Sequence, residues 1–146
     1  MNPDLVLVRR FMAGGGVGLP VDSSALAVAL GARLEAWSPE RRELVMGYEP
    51  DATFRQGAGV LQGGAVASML DFAMAFAGFT QLADGAGLST LTMNVVFQKA
   101  ARGGRYTVRG RIEKPGRRVM FAAAEITDGD DVVATATSTL LVLPAA

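Results

Sequence analysis

Histidine and cysteine are both absent from this 146-residue sequence, and their absence removes most familiar routes to catalysis. Without histidine there is no imidazole base, no Ser-His-Asp or Cys-His constellation and no His-ligated zinc. Without cysteine there is no disulfide framework, no thiol nucleophile and no thiolate metal site. An excess of one charge is lacking too. Fourteen Lys and Arg balance fourteen Asp and Glu, so no net field draws the chain toward nucleic acid or lipid headgroups. Acid–base or nucleophilic work is left to a carboxylate, a lysine, a tyrosine or a hydroxyl.

What is plentiful is apolar. Half of the residues are hydrophobic and only 19% are charged, which argues for a folded core and against disorder. The length suits one domain over 1–146, with 1–30 as an N-terminal helix and lead-in. The start, with Asp4 and the pair Arg9-Arg10, lacks the order of a secretory signal. A cytoplasmic protein is therefore expected.

Leu5, Val8 and Met12 recur at helical spacing and predict a helix over Pro3 to Met12, ended by Gly14-Gly15-Gly16. Val21 to Leu30 reads as a connection, with Asp22, Ser23 and Ser24 as possible caps. Runs at Gly31–Trp37 and Arg42–Tyr48 flank Ser38-Pro39-Glu40-Arg41 and predict a β-hairpin. After a polar loop, Gly63 to Leu82 is the longest apolar stretch and the predicted main helix. Strands are predicted at Leu88–Gln98, Arg105–Glu113, Arg118–Thr127 and Val132–Leu143, separated by glycine- and proline-bearing turns. In the last run Thr135, Thr137 and Thr139 alternate with Ala134, Ala136 and Ser138, the period of a strand. The sum is an α+β domain, one long helix on a six-stranded antiparallel sheet.

Within the main helix, which is apolar on every side and so expected to be buried all round, Asp71 is the only charge. A buried carboxylate is costly unless something pairs or hydrogen-bonds it, and no Lys or Arg stands three or four residues away. A structural, hydrogen-bonded aspartate is one reading. A membrane-spanning helix is another, but a central Asp costs ~2.5–3.5 kcal/mol on insertion, and β-patterned runs follow at once. The third is a catalytic base or nucleophile, which gains weight in a chain without His or Cys.

The start of that helix, Gly59-Val60-Leu61-Gln62-Gly63-Gly64, puts glycines where the first unpaired backbone amides point outward. Such amides, at the positive end of the helix dipole, suit a developing oxyanion; a Gly-Gly pair also serves plain turn chemistry. Gly63 and Asp71 are eight residues apart, ~12 Å along the axis, too far to share one carbonyl. A two-fold dimer with one copy's helix start facing the other's Asp71 would resolve this, so shared sites in a homodimer are expected.

These residues resemble the hotdog-fold acyl-CoA thioesterases, in the branch typified by phenylacetyl-CoA thioesterase. The resemblance runs from about Gly31 to Leu143. Gln56 stands where the branch has Asn, Gly59 at its Gly, Gln62-Gly63-Gly64 at its His-Gly-Gly, and Asp71 at its acid with the same spacing. The run Leu88 to Phe97 is similar to the strand beside that acid. The resemblance implies a hotdog fold, its long central helix wrapped by the sheet, and hydrolysis of an acyl- or aryl-CoA thioester. It implies that Asp71 acts directly or through water, that Gly63, with Gln62, polarises the carbonyl, and that Thr90 orients the water. Gly64 belongs to the same substrate-binding turn, and Gly116-Arg117-Arg118 resembles a turn that binds CoA phosphates, for which Arg is well suited. Lys99 and Arg102 are weaker candidates for the same role.

Gln62 keeps a hydrogen-bond donor but no titratable group, and Gln56 is one methylene longer than Asn. An acyl-CoA-binding or sensing protein is therefore the competing reading. A dimer of dimers is expected, with no metal or prosthetic group, coenzyme A entering only as part of the substrate. Thr90, Trp37, Met93 and Phe97 also read as ordinary strand or core residues, and Asp128 and Asp130 as hairpin chemistry. The small residues Ala67, Ala73 and Ala75 suggest room for an aryl or medium-chain acyl group.

Overall fold

The computed structural model describes residues 1–14 and 16–145, so Gly15 of the predicted helix stop lies outside the described residues. Helix α1 (Pro3–Met12) begins where Asn2 Oδ1 accepts the amide of Asp4, with proline in its first turn and Arg9 and Arg10 in its last. A two-residue strand, β1 (Leu19–Pro20), and a short helix, α2 (Ala25–Ala29), make up the lead-in. Ser24 caps α2, its Oγ accepting from the amide of Ala27 at 3.2 Å.

The hairpin β2 (Arg33–Ser38) and β3 (Glu43–Tyr48) follows, then a 3-10 turn (Ala52–Phe54), the long helix α3 (Gly63–Phe79), and the strands β4 (Gly87–Phe97), β5 (Tyr106–Lys114), β6 (Val119–Asp128) and β7 (Asp131–Leu143). The strands form one antiparallel sheet in the order β1-β2-β3-β5-β6-β7-β4. The predicted α+β hotdog architecture is borne out, with seven strands in place of six. The extra one, β1, exists because the Gly18 amide donates to Leu34 O on β2 and the Val21 amide to Ala32 O just before it, a pairing that two residues cannot announce in sequence. The main helix stops at Phe79, short of the predicted Leu82, where the amides of Thr80, Gln81 and Leu82 turn back to the carbonyls three residues earlier.

β5 shows the alternation of a half-buried strand. On β5, Tyr106, Val108 and Ile112 point to the helix while Thr107, Arg109 and Arg111 face out. Helix α3 lies close against this inner face. A Cβ on Gly110 would fall 2.3 Å from the Ala73 carbonyl oxygen, so only glycine lets helix and strand approach this closely. Met69, Leu70, Met74, Phe76, Ile112, Ile126 and Leu140 fill the layer between them, each contributing about 1.5–3 kcal/mol on burial.

The two edges of the sheet differ. The β1 edge is short, whereas β4 is an eleven-residue edge strand bearing Leu91, Val96 and Phe97, each more than half exposed. Phe97, read from sequence as core, is thus a correction: it sits at the open end of the edge strand.

Candidate functional site

Helix α3 is not buried all round. Ala65, Val66, Met69, Leu70, Ala73, Met74 and Phe76 are covered, but Gly63, Gly64, Ala67, Ser68, Asp71, Phe72 and Ala75 line a face that is only partly covered. Asp71 lies on that open face, so the expectation of a buried acid is corrected. An apolar residue pattern reports what a helix face prefers to touch, not whether the same chain supplies the cover.

Asp71 Oδ1 accepts a hydrogen bond from Thr90 Oγ1 at 2.8 Å. Its remaining oxygen has no protein donor among the described residues. A hydroxyl that donates to a carboxylate keeps its lone pairs, so Thr90 can still accept from a water held beside Asp71. Thr90 is aimed by a β-bulge. It pairs with Leu140 and Met93 pairs with Ser138, so three positions on β4 span two on β7 and Leu91 is the extra residue. Without that insertion Thr90 and Met93 could not both face α3. The bulge has no glycine or proline to mark it in sequence.

Behind the acid stands Tyr48, fully buried, its hydroxyl donating to Met69 O at 3.0 Å. Burial, and secondarily the Asp71 carboxylate, push its phenol well above the ordinary tyrosine range. Tyr48 therefore stays protonated as a donor into the helix backbone.

At the helix start, the Gln62 amide donates to Phe54 O, and the Ala65 and Val66 amides both turn to Gln62 O. That leaves the Gly63 and Gly64 amides as the unpaired donors of the first turn among the described residues. The Gln62 side chain is exposed and makes no capping bond, so it is free to act as a donor. Gln56 closes the preceding turn through its backbone, its amide donating to Val60 O and its carbonyl accepting from Gly59, which adopts φ +76°.

Sequence reasoning missed Arg55. Its guanidinium donates to Gly59 O at 2.9 Å and to the carbonyls of Arg102 and Gly103, tying the loop before α3 to the turn before β5. An arginine one residue ahead of a glycine-bearing loop was the available sign. Lys99 is engaged with Asp131 at 2.8 Å, and Asp128, read as chemistry of its own hairpin, instead reaches across to accept from the Gly103 amide at 2.9 Å.

The structure brings Asp71 together with Thr90, and Gln56 and Gln62 with Gly63 and Gly64, as two separate groups within one chain. Arg117 and Arg118 join neither group. They lie in the turn between β5 and β6, where Arg117 borders a groove of about 330 Å³ with Gln81, Leu82 and Asp84, past the far end of α3. Of the three alanines read as making room, Ala73 instead packs on Gly110, while Ala67 and Ala75 do lie on the open face. No helix among the described residues is long and apolar enough to cross a membrane.

Comparison with known proteins places this architecture. No curated protein matches the chain, but the model of the thioesterase superfamily matches residues 58–135, the span holding Asp71, Thr90 and Gln62 to Gly64, with Gln56 just ahead of it. Among solved structures, a phenylacetic acid degradation-related protein of Ralstonia eutropha JMP134 is 33% identical, covering 92% of this chain and 98% of its own, with a TM-score of 0.81. A thioesterase family protein of Silicibacter pomeroyi is 27% identical over 96% of this chain and 98% of its own, at a TM-score of 0.78. The PaaI protein of the phenylacetic acid degradation operon of E. coli shares the fold, with a TM-score of 0.75 at 16% identity over 98% and 95% of the two chains. A match over more than half the chain, and a relative one-third identical along nearly all of it, settle the family: the chain belongs to the thioesterase superfamily, as a hotdog-fold thioester hydrolase of the phenylacetyl-CoA-thioesterase-like branch.

Proposed function

We propose that the protein hydrolyses acyl-CoA thioesters to a free acid and coenzyme A, at sites shared between two copies of the chain. The observation that carries this reading is the edge strand. β4 bears Thr90, bonded to Asp71, toward one end and Phe97, packed beside Gly63, at the other. Antiparallel pairing of β4 with a second copy, centred on Asn94 with Leu91 bulged out, would set Thr90 opposite the second copy's Phe97. The same step would bring each Asp71 to the other copy's Gly63. It would also cover Leu91, Val96 and Phe97 and satisfy a long open edge. A dimer of dimers would extend this unit.

In such a site the Gly63 amide, with the Gln62 side chain beside it, holds the thioester oxygen and stabilises the charge that develops on it. Asp71 either attacks the carbonyl carbon, expelling the thiolate and leaving an anhydride for water to cleave, or takes a proton from a water that attacks in its place. Thr90 holds the carboxylate and accepts from that water. In both routes the carbon–sulfur bond breaks and the thiolate leaves as coenzyme A. Gly64 leaves space for the substrate chain, Gln56 shapes the turn that presents the amides, and Arg117 and Arg118 take the phosphates of coenzyme A. No metal or prosthetic group enters the scheme.

Turnover of a panel of acyl-CoAs tests it. Asp71→Asn keeps the shape and should lower kcat/KM about 10²–10⁴-fold. Undiminished turnover by that variant would remove Asp71 from the chemistry, and tight acyl-CoA binding without turnover by the wild type would favour a binding or sensing role. Sharing is tested by mixing two crippled variants, Asp71→Asn and Gly63→Val. A heterodimer would carry one intact site, so unfolding and refolding the pair together should restore roughly a quarter of wild-type turnover; no restoration would put each site within one chain.

A further inference from the structure

The Gly63 amide is only as well placed as the turn that leads into it, and side-chain packing does little to hold that turn. Gln56, Gly57, Ala58 and Gly59 are exposed, and among the described residues nothing beyond the chain neighbours lies within 4 Å of where a Cβ would stand on Gly57 or Gly59. Two backbone bonds close the turn on itself, from the Gln56 amide to Val60 O at 2.8 Å and from the Gly59 amide to Gln56 O at 2.9 Å. Neither ties its tip to the rest of the molecule. We infer that Arg55 is a positioning residue for the hydrolysis, its guanidinium clamping this turn to the sheet and so fixing the direction of the Gly63 amide. The inference rests on the thioesterase reading and adds to it a residue that acts through another.

The leg that enters α3 runs between two flanks. On one side the Gln62 amide donates to Phe54 O and Leu61 pairs with Arg55; on the other the Leu61 amide donates to Ala101 O. Arg55 belongs to the first flank and bonds to the second. Its Nη1 donates to Gly59 O at 2.9 Å and to Arg102 O, and its Nη2 donates to Gly103 O. One side chain therefore holds both flanks at the spacing the middle leg needs, and holds the tip four residues ahead of Gly63 as well.

The second flank is itself fixed. The Gly103 amide donates to Asp128 Oδ2 at 2.9 Å, Gly103 O also accepts from the Tyr106 hydroxyl at 2.6 Å, and the Gln98 and Lys99 amides donate to Val133 O. Asp128, Tyr106 and Val133 stand on β6, β5 and β7. A path of hydrogen bonds thus runs from the sheet through Gly103 and Arg55 to Gly59. Arginine suits the task because its donors sit on separate nitrogens of one rigid plane and can serve two segments at once. None of the ion pairs among the described residues includes Arg55, so its charge is directed at carbonyls and not at a neighbouring acid.

The test is a double-mutant cycle read in kcat and KM with an acyl-CoA that the wild type hydrolyses. Arg55→Gln should lower kcat about ten- to hundredfold with KM within about threefold, because a misplaced amide fails as charge develops on the carbonyl. Arg55→Lys keeps the charge, loses the fork and should fall nearly as far; it carries the cycle should Arg55→Gln not fold. On the Gly63→Val background, where the amide is already screened, the Arg55 variant should cost no more than about threefold further, and on Thr90→Val its full factor. Equal factors on both backgrounds would mean that Arg55 does not act through the Gly63 amide, and wild-type kcat in Arg55→Lys would mean that charge alone suffices. Either overturns the inference with the thioesterase reading intact. A lowered thermal midpoint at unchanged kcat per folded molecule also overturns it, making Arg55 a strut of the fold. Absence of hydrolysis of any acyl-CoA by wild type would overturn that reading itself, and this inference with it.

Discussion

The two faces of α3 are made of the same small and apolar residues, yet one is a packing surface and the other a working surface. On the sheet side Ala73 meets Gly110 and Gly78 meets Leu88 and Leu140, and every added atom would collide with something fixed or tightly packed. On the open side Gly64 has nothing within 4 Å of where a Cβ would stand, and Ser68 spends its hydroxyl on its own helix, donating to Gly64 O at 2.9 Å. Small residues bring layers together on one face and keep space clear on the other. The largest expected effect follows from the first role. Gly110→Ala forces a Cβ onto the Ala73 carbonyl and should cost about 3 kcal/mol by denaturant titration. Gly64→Ala, across the helix, should be neutral or stabilise by up to about 1 kcal/mol, since alanine favours helix over glycine. Equal costs at the two positions would break the comparison.

The second role predicts losses of activity without losses of stability. Gly63→Val places bulk between the free amide and an incoming oxygen, and among the described residues its Cβ meets the Phe97 ring at ordinary contact distance. About a hundredfold fall in kcat/KM is expected, the low end for losing an oxyanion donor, with a thermal midpoint close to wild type. Thr90→Val preserves the strand and removes only the hydroxyl bonded to Asp71. About a tenfold loss, in kcat more than in KM, is expected of a group that holds a carboxylate and a water in place. A drop in stability without a drop in kcat would mark Thr90 as a strand residue and nothing more.

How far the sequence could see follows the same division. The sheet face was legible because its signals are local: the alternation in Thr135 to Thr139, the turns Lys114-Pro115-Gly116 and Asp128-Gly129-Asp130, and the uninterrupted run through α3. Asp71 was legible as a lone charge with nothing beside it to pair. Hidden were the features that need a distant partner. The bulge at Leu91 depends on the register of β7, the hold of Arg55 on the turn before β5 depends on residues more than forty positions away, and β1 depends on β2. The open face of α3 was misread as buried for a related reason. Hydrophobicity signals that a surface will be covered, and it gives no sign of whether substrate, a second chain or the same chain does the covering.

Tyr48 joins the two faces, reaching through the core to the backbone of the helix that carries Asp71, and supplies the smallest expected effect. Tyr48→Phe removes the bond to Met69 O, whose carbonyl keeps its helical acceptor role, so the cost near neutral pH should be only about 0.5–1.5 kcal/mol. Its alkaline behaviour is more telling. Burial and the Asp71 charge raise the folded-state pKa, while the unfolded phenol titrates near ~10. Below that pH both states hold the proton and the folded state keeps its full stability. Above it the unfolded chain releases a proton that the folded chain retains, so unfolding becomes easier by about 1.4 kcal/mol per pH unit until the folded group titrates. Tyr106, raised chiefly by burial and then by Asp128, adds a second loss in the same direction. Denaturant titrations between neutral pH and pH 11 should therefore show wild type falling more steeply than Tyr48→Phe above pH ~10. Parallel slopes for the two proteins would mean that the phenol ionises in the folded protein as it does in water, and that Tyr48 is not sealed behind Asp71.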